Sequence, residues 1–539
     1  MEKIISKIMV LLTIALFAVS CLEEVEPTAY LSEAKKGEIA ASNPAKVFDG
    51  ILNGMYAEMQ SAVKSDLSHN YFGQKSFDYL TSLMGNDMIM TGRYGMSLYH
   101  YLLDYWQESY APTANRWAEY YTCIANANSI IAQIDPETTD PIQQKYLATA
   151  LGFRGYAYLQ LTYLYQYSYY VGVEGTKWGK GTAYDHSQKP CVPILLENTE
   201  GHQPRSTVEA VHELITSDLT RAFELFEGIG MTKTSAPTDI DGCVVAMYLA
   251  RQNMILNNWS EAQKYAQVVI DNFPVLTTED QILQGFSSLT LPDVVFGCDI
   301  TSDNSTIYMS WFSQMDAYGA GYAAIGVTRC GFKPFVDRIA DDDIRLMWFC
   351  CDRSTGEDIP GYGRLTLIRD IMSEAYEYQS VKFIGAGRDA ILGGGWNPSE
   401  GAAGWELGDY IYLRSEEAYL IKAEALAHQK QAAAALDALN SFMKTRQPSY
   451  NYTDTDYADF LEELNYQKRV EFWGEGIEYL DNRRLNIPVD RTDETWGAEN
   501  NNHLESAKMK VEQEGRNFLY QIPDDEIENN TMLTDADQN

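Results

Sequence analysis

The sequence predicts a mainly α-helical protein in which paired helices stack side by side and carry one large, loop-rich lobe with little β-structure. Three observations predict it. First, DYIYLRSEEAYLIKAEALAHQKQAAAALDALNSFMKTR, Asp409–Arg446, reads as two helices joined by a turn near His428–Lys430. Ala432, Ala435, Leu436, Leu439, Phe442 and Met443 give its second helix one apolar stripe, and its first is apolar nearly all round, as a mostly buried helix is. Second, the pattern recurs upstream over Asp241–Pro274, with Val245, Tyr248, Leu249, Ile255 and Leu256 on one helix and Trp259, Ala262, Tyr265, Ala266 and Val269 on the next. Third, residues 275–408 break the helical period. They hold 17 of the 38 glycines and four tryptophans, Trp311, Trp348, Trp396 and Trp405.

A helix pair of about thirty-four residues with small residues at its crossing points resembles the tetratricopeptide unit. Such a pair cannot bury its apolar face alone, so the units stack into an α-α superhelix. Long insertions between scaffold helices are where binding surfaces are usually built. Residues 275–408 are therefore the expected ligand-binding lobe.

Taken from its start, the chain has Lys3 and Lys7 ahead of an apolar run, Ile8–Val19, too short for a permanent membrane span. The run ends in Ala18-Val19-Ser20-Cys21, small residues before a cysteine. Residues 1–20 are read as a signal peptide, with Cys21 as the lipidated residue. A plain signal peptide with an incidental cysteine is the alternative. Thioether-linked diacylglycerol and an acylated amino terminus supply the several chains that stable anchoring needs, and residues 21–42 form the polar, lipidated tether. No later run reaches eighteen apolar residues, so the membrane is expected to be met by the lipid anchor only.

The net charge of −35 comes with no basic tract. That argues against nucleic acid, whose binding needs Lys and Arg to displace counterions, and against lying on an anionic leaflet. It suits an uncharged ligand or a cell-surface protein that must stay soluble. Apart from Cys21 there are seven cysteines, irregularly spaced and without CxxC, so neither a disulfide framework nor a zinc site is expected. Asp341-Asp342-Asp343 reads as a solvated helix start rather than a calcium site. HExxH, GxSxG, a phosphate cradle and an EF-hand loop are missing from the sequence.

Asn43-Pro44 caps and starts the first helix of an N-terminal helical region, 43–274, with Phe48, Ile51, Leu52, Met55 and Met59 on its inner face. Residues 65–110 have no clean period and are read as loop with short helix. Trp117, Tyr120, Tyr121, Ile124, Ile131 and Ile134 line one long helix; Leu147, Ala150, Leu151, Tyr158, Leu161 and Tyr165 line the next. Asn128 and Arg154 fall on these stripes, where a polar group needs a partner, and are read as structural braces. Residues 166–204 are loop, and Ser206-Thr207-Val208-Glu209 forms a capping box for the helix through Phe226. The C-terminal region, 409–539, returns to helix over 410–446, Tyr457–Glu475 and the stretch ending near Arg484. Glu417 and Glu424 share a face with Leu413 and Leu420, so both carboxylates are expected to be buried and paired. Arg414, Arg469, Arg483 and Arg484 are the available partners for an ion network joining the last two helical units. Paired carboxylates also serve glycosidases, but core-facing helix positions argue against that use.

Several of these stretches resemble the SusD/RagB family of nutrient-binding lipoproteins. YQKRVEFWGEGIEYLDNRRL, Tyr466–Leu485, is similar to the family's EhxxEGxRxxDxRR run through Glu471, Glu475, Gly476, Asp481, Arg483 and Arg484, with Glu478 where an arginine is common. YLRSEEAYLIKAEAL is similar to yxRxaExyLxxAEA through Arg414, Glu417 and Glu424. Pro204–Ala222, Asn128, Arg154 and Ile522–Ile527 match further segments, so the resemblance spans nearly the whole chain from Cys21. It implies a tetratricopeptide-like superhelix with an irregular lobe, lipid-anchored on the outer membrane and facing the cell exterior. It implies a lid over a SusC-like TonB-dependent transporter that captures oligosaccharide, in some members peptide, and hands it to the pore. Neither catalysis nor a cofactor is implied. Glu23-Glu24 resembles the export signal of surface-displayed lipoproteins in Bacteroidetes-type bacteria.

A sugar ring offers an apolar C–H face and a fringe of hydroxyls, so its site needs an aromatic platform flanked by polar groups. Two stretches have that composition: Asn86–Tyr101, with Asp87, Arg93, Tyr94 and Tyr99, and Ser305–Tyr322, with Tyr308, Trp311, Gln314 and Tyr318. Trp396, after three glycines, is a third candidate. For each aromatic the alternative is burial in the core. On the residues alone, a helical-repeat adaptor that binds only protein and a secreted glycoside hydrolase stay open beside glycan capture.

Overall fold

A computed structural model of the chain describes residues 44–61, 69, 71–92, 97–104, 107–350, 378–393, 396–397, 400–515 and 518–539. The signal peptide, Cys21, the tether, Arg93 and Tyr94 lie outside the described residues.

The architecture is mainly helical. Helix α1 (Pro44–Gln60) begins on its proline and buries Phe48, Leu52, Met55 and Met59. After the short α2 (Gln74–Ser82) come α3 (Ala111–Ile131), α4 (Pro141–Tyr165), α5 (Val208–Gly228), α6 (Gly242–Ile255) and α7 (Trp259–Asn272). Beyond the lobe come α8 (Glu416–His428), α9 (Ala432–Met443), α10 (Tyr457–Glu471) and α11 (Ile477–Leu485), the shorter helices aside. From α3 to α9 each helix packs on the next, and α7 meets α8 directly across the 143-residue gap in sequence from 273 to 415, as a tetratricopeptide-like array requires. Helix α10 packs on α8, and α11 on α2.

Local chemistry sets the helix starts. Asp140 accepts from the Ile142 N–H ahead of α4, Asp241 from Cys243 and Val244 ahead of α6, and Asp456 from Ala458 and Asp459 ahead of α10. Every residue of α4 from Tyr146 onward is buried. Gly155 lets Leu219 of α5 lie against it, since a Cβ there would stand 2.7 Å from the leucine side chain. The predicted capping box is not formed. Thr207, rather than Ser206, caps α5 through the Ala210 N–H at 3.1 Å, so Glu209 falls one position short and accepts from Gln188 instead.

One further expectation is corrected. Tyr410–Arg414, read as the start of a helix, is a strand. The described strands that matter are β1 (Met88–Met90), β2 (Val294–Cys298), β3 (Arg329–Gly331), β4 (Phe349–Cys350), β5 (Gln379–Ser380) and β6 (Tyr410–Arg414). Strand β6 pairs antiparallel with β2, Tyr410 opposite Cys298 and Arg414 opposite Val294, and the others form a four-stranded antiparallel sheet in the order β1-β3-β5-β4. Helix α2 falls in the stretch read as loop with short helix. Its nine residues are all buried although most are polar, because each polar group finds a partner: Gln74 donates to Asp78, Lys75 to the Ile411 carbonyl, and Thr81 and Ser82 to carbonyls one turn back.

The described residues of the lobe are packed into a shared core. Trp311, Phe312, Trp348, Phe383 and Trp405 join Phe72, Tyr79, Met88, Ile89 and Met90 in one apolar core that reaches Val470 and Trp473 of the C-terminal region.

Candidate functional site

Three loops bring four rings together at the surface of the lobe. Tyr308 follows a turn in which Asn304 donates to the Asp299 carbonyl (2.9 Å) and Ser305 to the Glu406 carbonyl (2.8 Å). The second bond ties this turn to the one-turn helix that carries Trp405. His69 lies nearly parallel to Tyr308, with centroids 6.4 Å apart and planes 8° off, and hydrogen-bonds through Nδ1 to the Tyr322 hydroxyl at 2.6 Å. Trp405 flanks Tyr308 at 6.4 Å. Trp405 is buried and anchors the group, whereas Tyr308 is 48 % exposed. Ile307, Ile325 and Leu407, on the same loops, are exposed as well, so four of the ten large hydrophobics exposed among the described residues fall here. Ile307 also holds φ +52, a left-handed backbone that a β-branched residue rarely adopts. Ser310 stabilises it by donating to the Ile307 carbonyl (2.5 Å). Backbone strain of this kind gathers where a surface is held ready for a ligand.

The other predicted ligand residues fall elsewhere. Trp311 and Tyr318 are 1 % and 2 % exposed, and the Lys75 ammonium sits 3.9 Å from the Trp311 ring, beneath it in the core. Asp87 is buried and accepts a two-pronged bond from Arg469 Nε and Nη2. Burial removes all three from any ligand surface, which corrects the sequence reading. Tyr99 is exposed and edge-on to Tyr110, 5.6 Å away. The backbone of Trp396 pairs with Ala402, three residues from Trp405. His69, Tyr322 and Trp405 were missed as a group, because three separate segments supply them and no local pattern links the segments.

The polar residues read as structural form two buried networks. Arg154 binds Asp218 through Nε (2.7 Å) and Nη2 (2.8 Å), and Asn128 and Glu197 through Nη1, tying α3, α4 and α5 to the loop between α4 and α5. In the C-terminal region Arg414 binds Glu475 and Glu471, and Glu471 also accepts from Arg446 through Nε and Nη2, each at 3.0 Å. Lys382 of the lobe donates to Glu475 at 2.6 Å. Burial pushes Glu471 and Glu475 up, but the arginines outweigh it, holding Glu471 well below the usual carboxylate range and Glu475 at about 2. Burial lowers Lys382 to about 8 against the pull of Glu475. Glu424 pairs with Arg484 (2.6 and 2.7 Å). Glu417 pairs with Arg251, which was not among the partners expected. Arg483 donates to the Tyr163, Gln166 and Phe518 carbonyls rather than to a carboxylate. Among the described residues no group of three or more His, Cys, Asp or Glu is placed to hold a metal ion.

A concavity of about 610 Å³ runs along α5, lined by Tyr169, Glu209, Glu213, Ser217, Arg221 and Leu256. Its two rings, Tyr169 and His212, meet edge-on at 5.4 Å and the imidazole is buried, so no pair of exposed rings lines it.

Comparison with known proteins agrees with the fold. Residues 33–235 match the family described as "Starch-binding associating with outer membrane", and residues 395–539 match the SusD family. The chain belongs to the SusD/RagB family. A SusD-like carbohydrate binding protein from Bacteroides vulgatus is 23 % identical with a TM-score of 0.71, over 92 % of this chain and 98 % of that one. A SusD superfamily protein from Bacteroides thetaiotaomicron is 18 % identical (TM-score 0.67; 92 % and 99 % covered), and one from Parabacteroides distasonis 15 % (0.65; 92 % and 99 %). At these identities the likeness is one of fold. No curated protein matches the chain in sequence.

Proposed function

We propose that this chain is a lipid-anchored outer-membrane protein that captures oligosaccharide on the Tyr308 platform and delivers it, unaltered, to a SusC-like TonB-dependent transporter. The observation that carries the reading is the exposed Tyr308 ring, backed by His69, Tyr322 and Trp405 and held by a strained turn. A ring fixed in this way loses little freedom when a sugar face stacks on it. Its setting supports the reading, for the scaffold is shared with a protein described as carbohydrate binding. Trp396 and Tyr99 are proposed as further ligand contacts. No described helix is long and apolar enough to cross a membrane, which fits attachment through a lipid on Cys21.

Two measurements test this. Tyr308→Ala is expected to weaken binding of a captured glycan by about tenfold in calorimetry, whereas Trp311→Phe, in the core, leaves it intact. Equal affinity for wild type and Tyr308→Ala removes the platform from the site. Cys21→Ala is expected to move the protein out of the membrane fraction; if it sediments with membranes as before, the lipid anchor is wrong.

A further inference from the structure

We infer that the platform takes uncharged glycan and discriminates against chains bearing carboxylate or sulfate groups. This rests on the reading of Tyr308 as the binding surface and narrows the class of sugar it accepts. Three of the four rings come from two segments, 265–328 and 389–413, and neither contains a single lysine or arginine, against seven acidic residues in the first and four in the second. Three of those acids border the platform. Asp299 and Asp303 are exposed and Glu406 is half-buried, and the Asn304 and Ser305 side chains that brace the Tyr308 turn bond to the backbone of Asp299 and Glu406.

The cations of the lobe's core point the other way. Arg329 is 1 % exposed and gives its donors to the Val327 carbonyl, the Tyr79 hydroxyl and Gln314 Oε1. Lys75 binds the Ile411 carbonyl and Asp78, and Lys382 binds Glu475. His69 is the one base among the four rings, and its Nδ1 is engaged with Tyr322. A uronate or sulfate brought to Tyr308 would meet the acidic chain of these two segments and find no guanidinium or ammonium in either to pair with. A sugar hydroxyl meets the opposite situation, because an ionised carboxylate only accepts and a hydroxyl can donate to it.

The experiment begins with a screen of purified full chain against neutral and acidic polysaccharides by affinity electrophoresis. A neutral binder is then compared with its own carboxymethylated derivative by calorimetry at low and physiological salt. The derivative is expected to bind about tenfold more weakly at low salt, with the gap narrowing as salt rises. Asp303→Lys is expected to move the ratio of the two affinities toward one. Equal or tighter binding of the derivative, or a screen in which only acidic glycans bind in a Tyr308-dependent way, overturns the inference and leaves the platform standing. Binding of neither class, or binding indifferent to Tyr308→Ala, overturns the platform itself.

Discussion

Glu471→Gln is expected to lower the stability of the fold by about 3–5 kcal/mol, measured by chemical denaturation near neutral pH. Glu471 is fully buried and sits among three guanidiniums: Arg446 at 3.0 Å through two nitrogens, Arg414 at 3.3 Å and Arg345 at 3.6 Å. Glutamine keeps the shape and removes the charge, so three buried cations lose a shared counter-ion in a medium that cannot solvate them. The loss depends on pH in a defined direction. The arginines hold the folded-state pKa of Glu471 below its unfolded value, so its contribution is present above about 4.5 and disappears as pH falls below that. The gap between wild type and Glu471→Gln should therefore close in acid. Glu261→Gln, in the exposed pair with Lys264, serves as control and should cost nothing measurable. A loss of under 1 kcal/mol for Glu471→Gln would mean that the cluster does not hold the C-terminal helices to the lobe.

That network also shows how far the sequence could be read. The α6–α7 and α8–α9 pairs were legible because a 3.6-residue period survives any tertiary context. Glu417 and Glu424 were legible as buried because they interrupt such a period. Arg484 was among the partners expected and pairs with Glu424; Arg251 of Glu417, and Arg446, Arg345 and Lys382 of the Glu471–Glu475 cluster, were not, since they come from four other places in the chain. Tyr410–Arg414 was misread for a physical reason. A strand buried on both faces has no alternation, and a short apolar run beside a helix looks like more of that helix; only the pairing with Val294–Cys298, over a hundred residues away, decides it. Helix α2 was legible only as short helix within loop, because six of its nine residues are polar and are buried through hydrogen bonds, which leaves no apolar period to mark its bounds. At the candidate site, Tyr308, Trp311 and Tyr318 share one composition and one loop. Which of the three faces solvent is set by the packing of Phe383 on Trp311 at 5.0 Å and of Gly319 beneath Trp405, and composition carries neither fact.

Asp87 separates a structural from a ligand role most sharply, and Asp87→Asn is expected to cost about 3 kcal/mol while glycan affinity stays as in wild type. Asp87 neutralises Arg469 with both oxygens. Directly behind it the buried Glu478 accepts from the Asn86 N–H at 2.5 Å, the Asp87 N–H at 3.4 Å and Asn482 Nδ2 at 3.2 Å. An arginine, common at that position in the family, would have no lone pairs for those donors, so the glutamate suits this chain's own Gly85–Asp87 turn. Burial and then the Asp87 charge raise Glu478 to about 7, against the attraction of Arg469. A carboxyl whose folded pKa lies above its unfolded one favours the fold fully below about 4.5, and that contribution is lost as pH rises through 7, on the order of 3 kcal/mol in all. Removing the Asp87 charge frees Arg469 to hold Glu478 ionised and cancels this slope. The penalty of Asp87→Asn should thus be largest near pH 5 and shrink toward pH 8. A penalty constant across that range would detach Glu478 from Asp87, and lost glycan affinity at unchanged stability would return Asp87 to the ligand surface.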